Sequence, residues 1–214
     1  MKLYTYWRSS AAYRVRIGLN LKGQSYDHAY VHLVKDGGQH LQAAYKAINP
    51  QSMVPSLALD DGTVLTQSLA ILEFLDEVYP EPAFLPADPV ARAQARAMAL
   101  LIAADIHPVN NLRVLKYIVG QLGADEATKA TWYKHWICEG FTPLEHMLAA
   151  APHHPFCCGD MPTLADICLV PQVYNAQRFG VNMDAFPHIQ RISNTCQSLH
   201  AFHAAAPEQQ ADAA

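Results

Sequence analysis

Hydrophobic and polar positions change their spacing several times over the first eighty residues, and each change marks an element. Lys2 to Tyr6 is rich in aromatic and β-branched residues and reads as a short strand. Ser9 and Ser10, both cap-type residues, precede Tyr13, Val15, Arg16, Ile17 and Leu19 to Leu21, a helical stretch that stops at Lys22-Gly23. Tyr26 to Leu33 reads as a second strand, Gly37-Gly38 as a break, and Leu41 to Ile48 as a short helix. After Val54-Pro55, Ser56 to Leu59 and Thr63 to Leu65 form a strand pair around the turn Asp60-Asp61-Gly62. Gln67 and Ser68 open a helix whose apolar stripe is Leu69, Ile71, Leu72 and Leu75, and Pro80 ends it. The resulting order is β-α-β-α-β-β-α.

Pro82, Pro86 and Pro89 mark a linker, and every later stretch is helical in pattern. A long helix is expected from Asp88 to about Val119, kinked at Pro108, and a second from Glu126 to Ala151. Thr163-Leu164-Ala165-Asp166 resembles a capping box with Asp in place of Glu, and opens a buried helix through Val173 and Ala176. His188 to His203 is the last helix, and the tail after Pro207 is expected to fray. The expected organisation is an α/β domain over 1–80, a linker over 81–88 and an all-helical domain over 89–214.

The composition narrows the function classes. Hydrophobic residues at 51% and charged residues at 16% describe a folded chain with a substantial core. A net charge of -4 lacks the dense basic face of a nucleic-acid binder. The longest apolar run, Ala97 to Ala104, is too short to span a bilayer, and Met1-Lys2-Leu3-Tyr4 enters a strand without a signal-peptide core. The expectation is a cytoplasmic protein without a membrane partner. Cys138, Cys157, Cys158, Cys168 and Cys196 are odd in number and include no C-x-x-C, so unlinked thiols are expected. His153 to Cys158 lacks zinc-ligand spacing, and no metal is expected.

Candidate chemistry sits at the element ends. Ser9 and Ser10 cap a helix, or donate to an anion at its positive end. Gln67-Ser68 opens another helix after a strand and offers N–H groups and a hydroxyl to a carboxylate; capping and binding are compatible there. Val54-Pro55 is an ordinary loop proline or a cis bond that presents the Val54 backbone for strand-like pairing. Arg8 and Arg178 are solvated helix-end arginines or carboxylate clamps. A lone histidine such as His107 is more often structural than functional.

Several of these motifs occur together in an order that resembles the zeta class of the glutathione transferase superfamily. The stretch Tyr6-Trp7-Arg8-Ser9-Ser10-Ala11-Ala12-Tyr13-Arg14-Val15-Arg16 is similar to that class's serine-serine-cysteine and Arg-Val-Arg signature. Asn49 to Pro55, Gln67-Ser68, Asp105-Ile106-His107-Pro108 with Asn111-Leu112-Arg113, and Leu169-Val170-Pro171-Gln172-Val173 extend the likeness over nearly the whole chain. The resemblance implies a thioredoxin-like first domain, a helical second domain, homodimerisation and glutathione as coenzyme. It implies that Ser9, with Ser10 beside it, serves the glutathione thiolate, that Arg8 or nearby N–H groups stabilise the enolate, and that Val54, Pro55, Gln67 and Ser68 hold glutathione. His40, His107, Asn111 and Arg113 are implied at its glycyl end or the far rim. Asp105 is implied to reach the glutathione amine across a dimer interface.

The implied activity is cis–trans isomerisation of maleylacetoacetate: the thiolate adds to the double bond, the bond rotates and the thiolate leaves. Arg8 and Arg178 are implied to hold the substrate carboxylates from opposite domains. Maleylpyruvate, glutathione conjugation or dehalogenation of haloacids, and a non-catalytic glutathione-binding role are the alternatives. Ala11 departs from the signature, where the class has cysteine, and removes any role of that thiol.

Overall fold

The computed structural model describes residues 1–150 and 153–213. The expected helix end at Ala151 and the chain limit at 214 lie outside the described residues. Two compact units form: Met1–Ala83 together with the residues from Ser198 onward, and Phe84–Gln197.

The first unit contains β1 (Lys2–Thr5), α1 (Ser10–Leu21), β2 (Asp27–Tyr30), α2 (Ala43–Lys46), β3 (Ser56–Ala58), β4 (Val64–Thr66) and α3 (Ser68–Val78). The sheet order is β2-β1-β3-β4. β1 and β2 are parallel, which requires a crossover, and α1 is that crossover. The other pairings are antiparallel, with Tyr4 opposite Ser56 and Ser56 opposite Thr66. This register sets the C-terminal end of β1, the start of β3 and the C-terminal end of β4 side by side. Residues 6–10, 54–55 and 67–68 therefore emerge at one end of the sheet. Leu3 and Leu57 from the strands, Val15, Ile17 and Leu19 from α1, and Ile71, Leu72 and Leu75 from α3 are fully buried and form the core.

α1 is buried from Ala12 through Leu19, including Arg14 and Arg16, so it shows no polar face. The cause lies far along the chain. α9 (His200–Ala205) packs on α1. Asn20 donates to the Ala201 carbonyl at 3.0 Å and the Arg16 Nε to the Ala205 carbonyl at 3.0 Å. The tail expected to fray is instead folded onto the first unit. Pro207–Gln209 makes a 3-10 turn, and the Gln210 amide donates to the carbonyls of Ala204 and Ala206 at 3.0 and 2.9 Å.

The second unit contains α4 (Pro89–Leu100), α5 (Leu112–Gly120), α6 (Glu126–Ala150), α7 (Leu164–Arg178) and α8 (Pro187–Gln197). The single helix expected over 188–203 is two, because Leu199 is extended at φ -82 and ψ 133. The long helix expected over 88–119 is not a kinked rod. After α4 the ladder widens into a π-helical segment, Leu101–Ile106, closed by His107 N–H to the Ile102 carbonyl at 2.9 Å. A 3-10 turn follows at Pro108–Asn110, and Asn111 restarts the chain as α5. α6 holds this break in place: Trp132 Nε1 donates to the Val109 carbonyl at 3.0 Å, and Asn110 Nδ2 donates to the Tyr133 carbonyl at 3.1 Å. α7 is the central core helix, buried from Leu164 through Val173, and the Thr163–Asp166 capping box opens it.

Candidate functional site

β1 ends at Thr5, and the chain turns through Tyr6 to Ser9 before α1 begins. The turn is closed by Ser9 N–H to the Tyr6 carbonyl at 3.0 Å. Ser9 is the N-cap of α1, and its Oγ accepts the Ala12 N–H at 3.2 Å. A hydroxyl has one O–H and two lone pairs, so capping leaves the Ser9 O–H to donate elsewhere. Capping and anion binding are thus compatible in Ser9. No acidic residue occupies the first turn of α1, which leaves its positive end open to an anion. Ser10 is buried inside that turn.

Arg16 holds the turn from below. Its NH1 donates to Thr5 Oγ1 at 3.1 Å and the Tyr6 carbonyl at 3.4 Å, and its NH2 donates to the Trp7 carbonyl at 3.0 Å. Burial lowers its pKa to about 10, still cationic at neutral pH. Arg14, also buried, donates from NH1 to Ser68 Oγ at 3.3 Å. Sequence reasoning used both arginines as part of a motif and gave neither a role. The available signal was two cations inside a run otherwise too apolar for solvent, which demands buried partners. Arg8 folds back on its neighbours, with NH2 donating to Tyr6 Oη at 3.2 Å and the guanidinium carbon 4.6 Å from the Trp7 ring centre.

The Val54–Pro55 bond is cis. Val54 packs in a cluster with Tyr6, Val31 and Tyr45, so the start of β3 abuts the Ser9 turn. Gln67 sits at φ +69, a left-handed conformation uncommon outside glycine, and its Nε2 donates to Gln51 Oε1 at 2.9 Å. Ser68 begins α3 and is buried. The structure thus gathers Ser9, Ser10, Val54, Pro55, Gln67 and Ser68 at one sheet end. His40 lies in a 3-10 turn on the loop that leaves β2 at the same end. Gly38, at φ +103, makes room for it; a Cβ there would stand 2.7 Å from the His40 ring.

In the second unit, Asp105, His107 and Asn111 fall in the break between α4 and α5, and Arg113 lies in the first turn of α5. Asp105 and Arg113 are exposed and His107 is half-buried. Asn111 caps α5, its side chain accepting the Arg113 N–H at 3.1 Å. Arg178 ends α7 exposed, its guanidinium carbon 4.6 Å from the Phe179 ring centre. Phe179 stacks on Tyr133 at 3.5 Å and 13°. Burial pushes the Tyr133 pKa up to about 12, and the neighbouring Arg178 guanidinium opposes the shift. Nothing in the sequence distinguished Tyr133 from the other tyrosines.

All five cysteines are free. Burial and the nearby Asp166 carboxylate push the Cys157 and Cys196 thiols up, so neither supplies a thiolate at neutral pH. Among the described residues no group of three metal-ligating side chains occurs, and no helix is long and apolar enough to cross a membrane.

The glutathione S-transferase N-terminal domain family matches residues 3–83, and its C-terminal domain family matches residues 137–199. The chain is 49% identical to a probable maleylacetoacetate isomerase of Vibrio cholerae over 99% of this chain and 97% of that protein. It is 48% identical to a maleyl pyruvate isomerase described as a bacterial zeta-class glutathione S-transferase, whose holo structure superposes over 100% of both chains with a TM-score of 0.97. A maleylacetoacetate isomerase from Anaeromyxobacter dehalogenans, solved with dicarboxyethyl glutathione and citrate, is 41% identical with a TM-score of 0.87, covering 100% of this chain and 97% of that one. The ordered signature around Ser9, the fold and these relatives agree: this chain belongs to the zeta class of the glutathione S-transferase family.

Proposed function

We propose that this chain is a glutathione-dependent cis–trans isomerase acting on maleylacetoacetate, with maleylpyruvate, one methylene shorter, as the alternative substrate of the same chemistry. The observation that carries the reading is the Ser9 hydroxyl, which caps α1 through a lone pair and keeps its O–H at the positive end of that helix. The donor set fits glutathione. Ser9 suits a thiolate, Ser68 with Arg14 behind it suits a carboxylate, and burial pushes the Cys157 and Cys196 thiols up.

Bound glutathione supplies a thiolate that adds to the cis double bond, permits rotation and departs, so it is a coenzyme. The chain's own residues do the rest. Ser9 donates to the sulfur and keeps it ionised, with Ser10 in the same helical turn. Gln67 and Ser68 hold the γ-glutamyl carboxylate, and the Val54 backbone, fixed by Pro55, pairs with the cysteinyl unit. His40, His107, Asn111 and Arg113 serve the glycyl end, and Asp105 the amine of glutathione on the partner in a homodimer. Arg8 and Arg178 take substrate carboxylates. The dicarboxyethyl adduct and citrate bound by the Anaeromyxobacter relative support a site suited to polycarboxylates. The proposed setting is the cytoplasm.

The test compares Ser9→Ala with Ser10→Ala on both maleyl substrates, alongside titration of the bound thiol by thiolate absorbance. Ser9→Ala is expected to lose about 1.5–3 kcal/mol of thiolate stabilisation, one hydrogen bond to a charged group. Ser10→Ala loses less. Small and equal losses from both would move thiol activation to the helix end alone.

A further inference from the structure

We propose that Asp212 is a positioning residue for the Tyr6–Ser9 turn, and through it for the Ser9 hydroxyl. The inference rests on the reading of Ser9 as the thiolate donor and adds the group that sets its place.

Trp7 lies between β1 and α1, where neither the sheet nor the helix supplies partners for its backbone. Both groups are nevertheless taken. The Trp7 N–H donates to Asp212 Oδ2 at 3.0 Å, and the Trp7 carbonyl accepts from Arg16 NH2 at 3.0 Å. Trp7 and Arg8 are the central residues of the turn closed by Ser9 N–H and the Tyr6 carbonyl. Fixing the peptide planes of Trp7 therefore fixes the approach to Ser9.

Asp212 is itself held. Arg16, which grips the turn, also grips the Ala205 carbonyl through Nε at 3.0 Å. Gln210 anchors the next residues through its amide, and Ala213 N–H returns to the Gln210 carbonyl at 2.9 Å around Asp212. Oδ2 of the carboxylate takes the Trp7 N–H, and the buried Arg16 guanidinium that grips the same turn attracts its charge. What the arrangement achieves is the hold on Trp7.

The sign of its charge separates positioning from electrostatics. A carboxylate disfavours a second anion nearby, so its loss by electrostatics alone lowers the pKa of a thiol bound at Ser9. Loss of positioning raises that pKa. The experiment prepares Asp212→Ala and Asp212→Asn, each with Ser9 intact and in the Ser9→Ala background, and checks folding by thermal unfolding. Amide hydrogen exchange at Trp7 and Arg8 is read in the free protein, the bound thiol is titrated by thiolate absorbance, and isomerase rates follow.

Asp212→Ala is expected to speed exchange at Trp7, raise the thiol pKa and lower kcat about tenfold, the scale of one charge-assisted hydrogen bond. Asp212→Asn keeps an acceptor and restores most of each. In the Ser9→Ala background, Asp212→Ala adds nothing further to the thiol shift. A thiol pKa that falls or stays put in Asp212→Ala overturns the proposal, as does unchanged Trp7 exchange. If Ser9→Ala itself leaves the thiol pKa unmoved, the serine reading fails and the proposed consequence of Asp212 fails with it. If Ser9→Ala raises that pKa and Asp212→Ala does not, only the role of Asp212 is lost.

Discussion

The Arg14 guanidinium donates to the Ser68 hydroxyl at 3.3 Å, tying the inner face of α1 to the first residue of α3. The bond occupies a lone pair of Ser68 and leaves its O–H to donate, with a buried cation behind it. A carboxylate at the start of α3 then meets a hydroxyl, orphan N–H groups and positive charge at once. Ser68→Ala is expected to raise the KM for glutathione about tenfold or more at nearly constant kcat, the loss of one bond to a charged group. Steady-state kinetics at varied glutathione check it; an unchanged KM removes Ser68 from the site.

Arg178 lies over the Phe179 ring, with the Tyr133 hydroxyl nearby, at the exposed end of α7. Arg178→Ala is expected to lower kcat/KM for the maleyl substrates about 10–100-fold. Lysine should rescue only in part, because a point charge lacks the planar fork. Glutathione affinity and conjugation of an uncharged electrophile should survive. Loss of glutathione binding instead would reassign Arg178.

The order β-α-β-α-β-β-α was legible because the first unit alternates short β-branched runs with helical stripes between Gly and Pro breaks. Val54-Pro55 and Gln67-Ser68 were legible as element boundaries, whereas the roles proposed for them came from the ordered resemblance and not from any local signal. Three features were hidden for physical reasons. α1 is covered by α9, so its burial depends on residues about 190 positions away. The break after α4 runs through Leu-Ile-Ala-Ala-Asp-Ile, which holds no Gly or Pro and gives no sign of a widened ladder, and only Pro108 hinted at it. Asp212 meets Trp7 across 205 positions, a pairing that no periodicity encodes.

Gly140 on α6 faces Ile106, where the π-helical segment ends. A Cβ at Gly140 would stand 2.2 Å from Ile106 Cγ1 and 2.3 Å from Cδ1. Gly140→Ala is expected to destabilise the protein by about 1–3 kcal/mol through overpacking. Ile106→Ala removes the clashing atoms, so the double variant should be more stable than the sum of the single losses implies. Urea unfolding of the four proteins measures the coupling. Simple additivity would show that the two side chains do not compete for this space.

Asp166 accepts the Cys157 N–H, the Thr163 N–H and the Thr163 hydroxyl, each at 2.8 Å. Asp166→Asn puts an N–H₂ against a donor and is expected to cost about 2–3 kcal/mol. Burial raises the Asp166 pKa above 3.8, against the pull of its hydrogen bonds. The folded state therefore binds this proton more tightly than the unfolded state. That contribution is complete below 3.8 and is lost as pH rises through the folded value. The stability margin of the wild type over Asp166→Asn should widen as pH falls toward 3.8, and denaturant titrations at several pH values would show it. A margin that narrows on acidification contradicts the raised pKa.

The central claim is that glutathione is a coenzyme activated at Ser9, and it is tested most directly by counting turnovers. Exhaustively dialysed enzyme is given one equivalent of glutathione per active site and an excess of maleylacetoacetate, and product and free thiol are followed together. The account predicts many turnovers with the thiol fully recovered, and no isomerisation before glutathione is added. Full activity without glutathione, or consumption of one thiol per product, would contradict it.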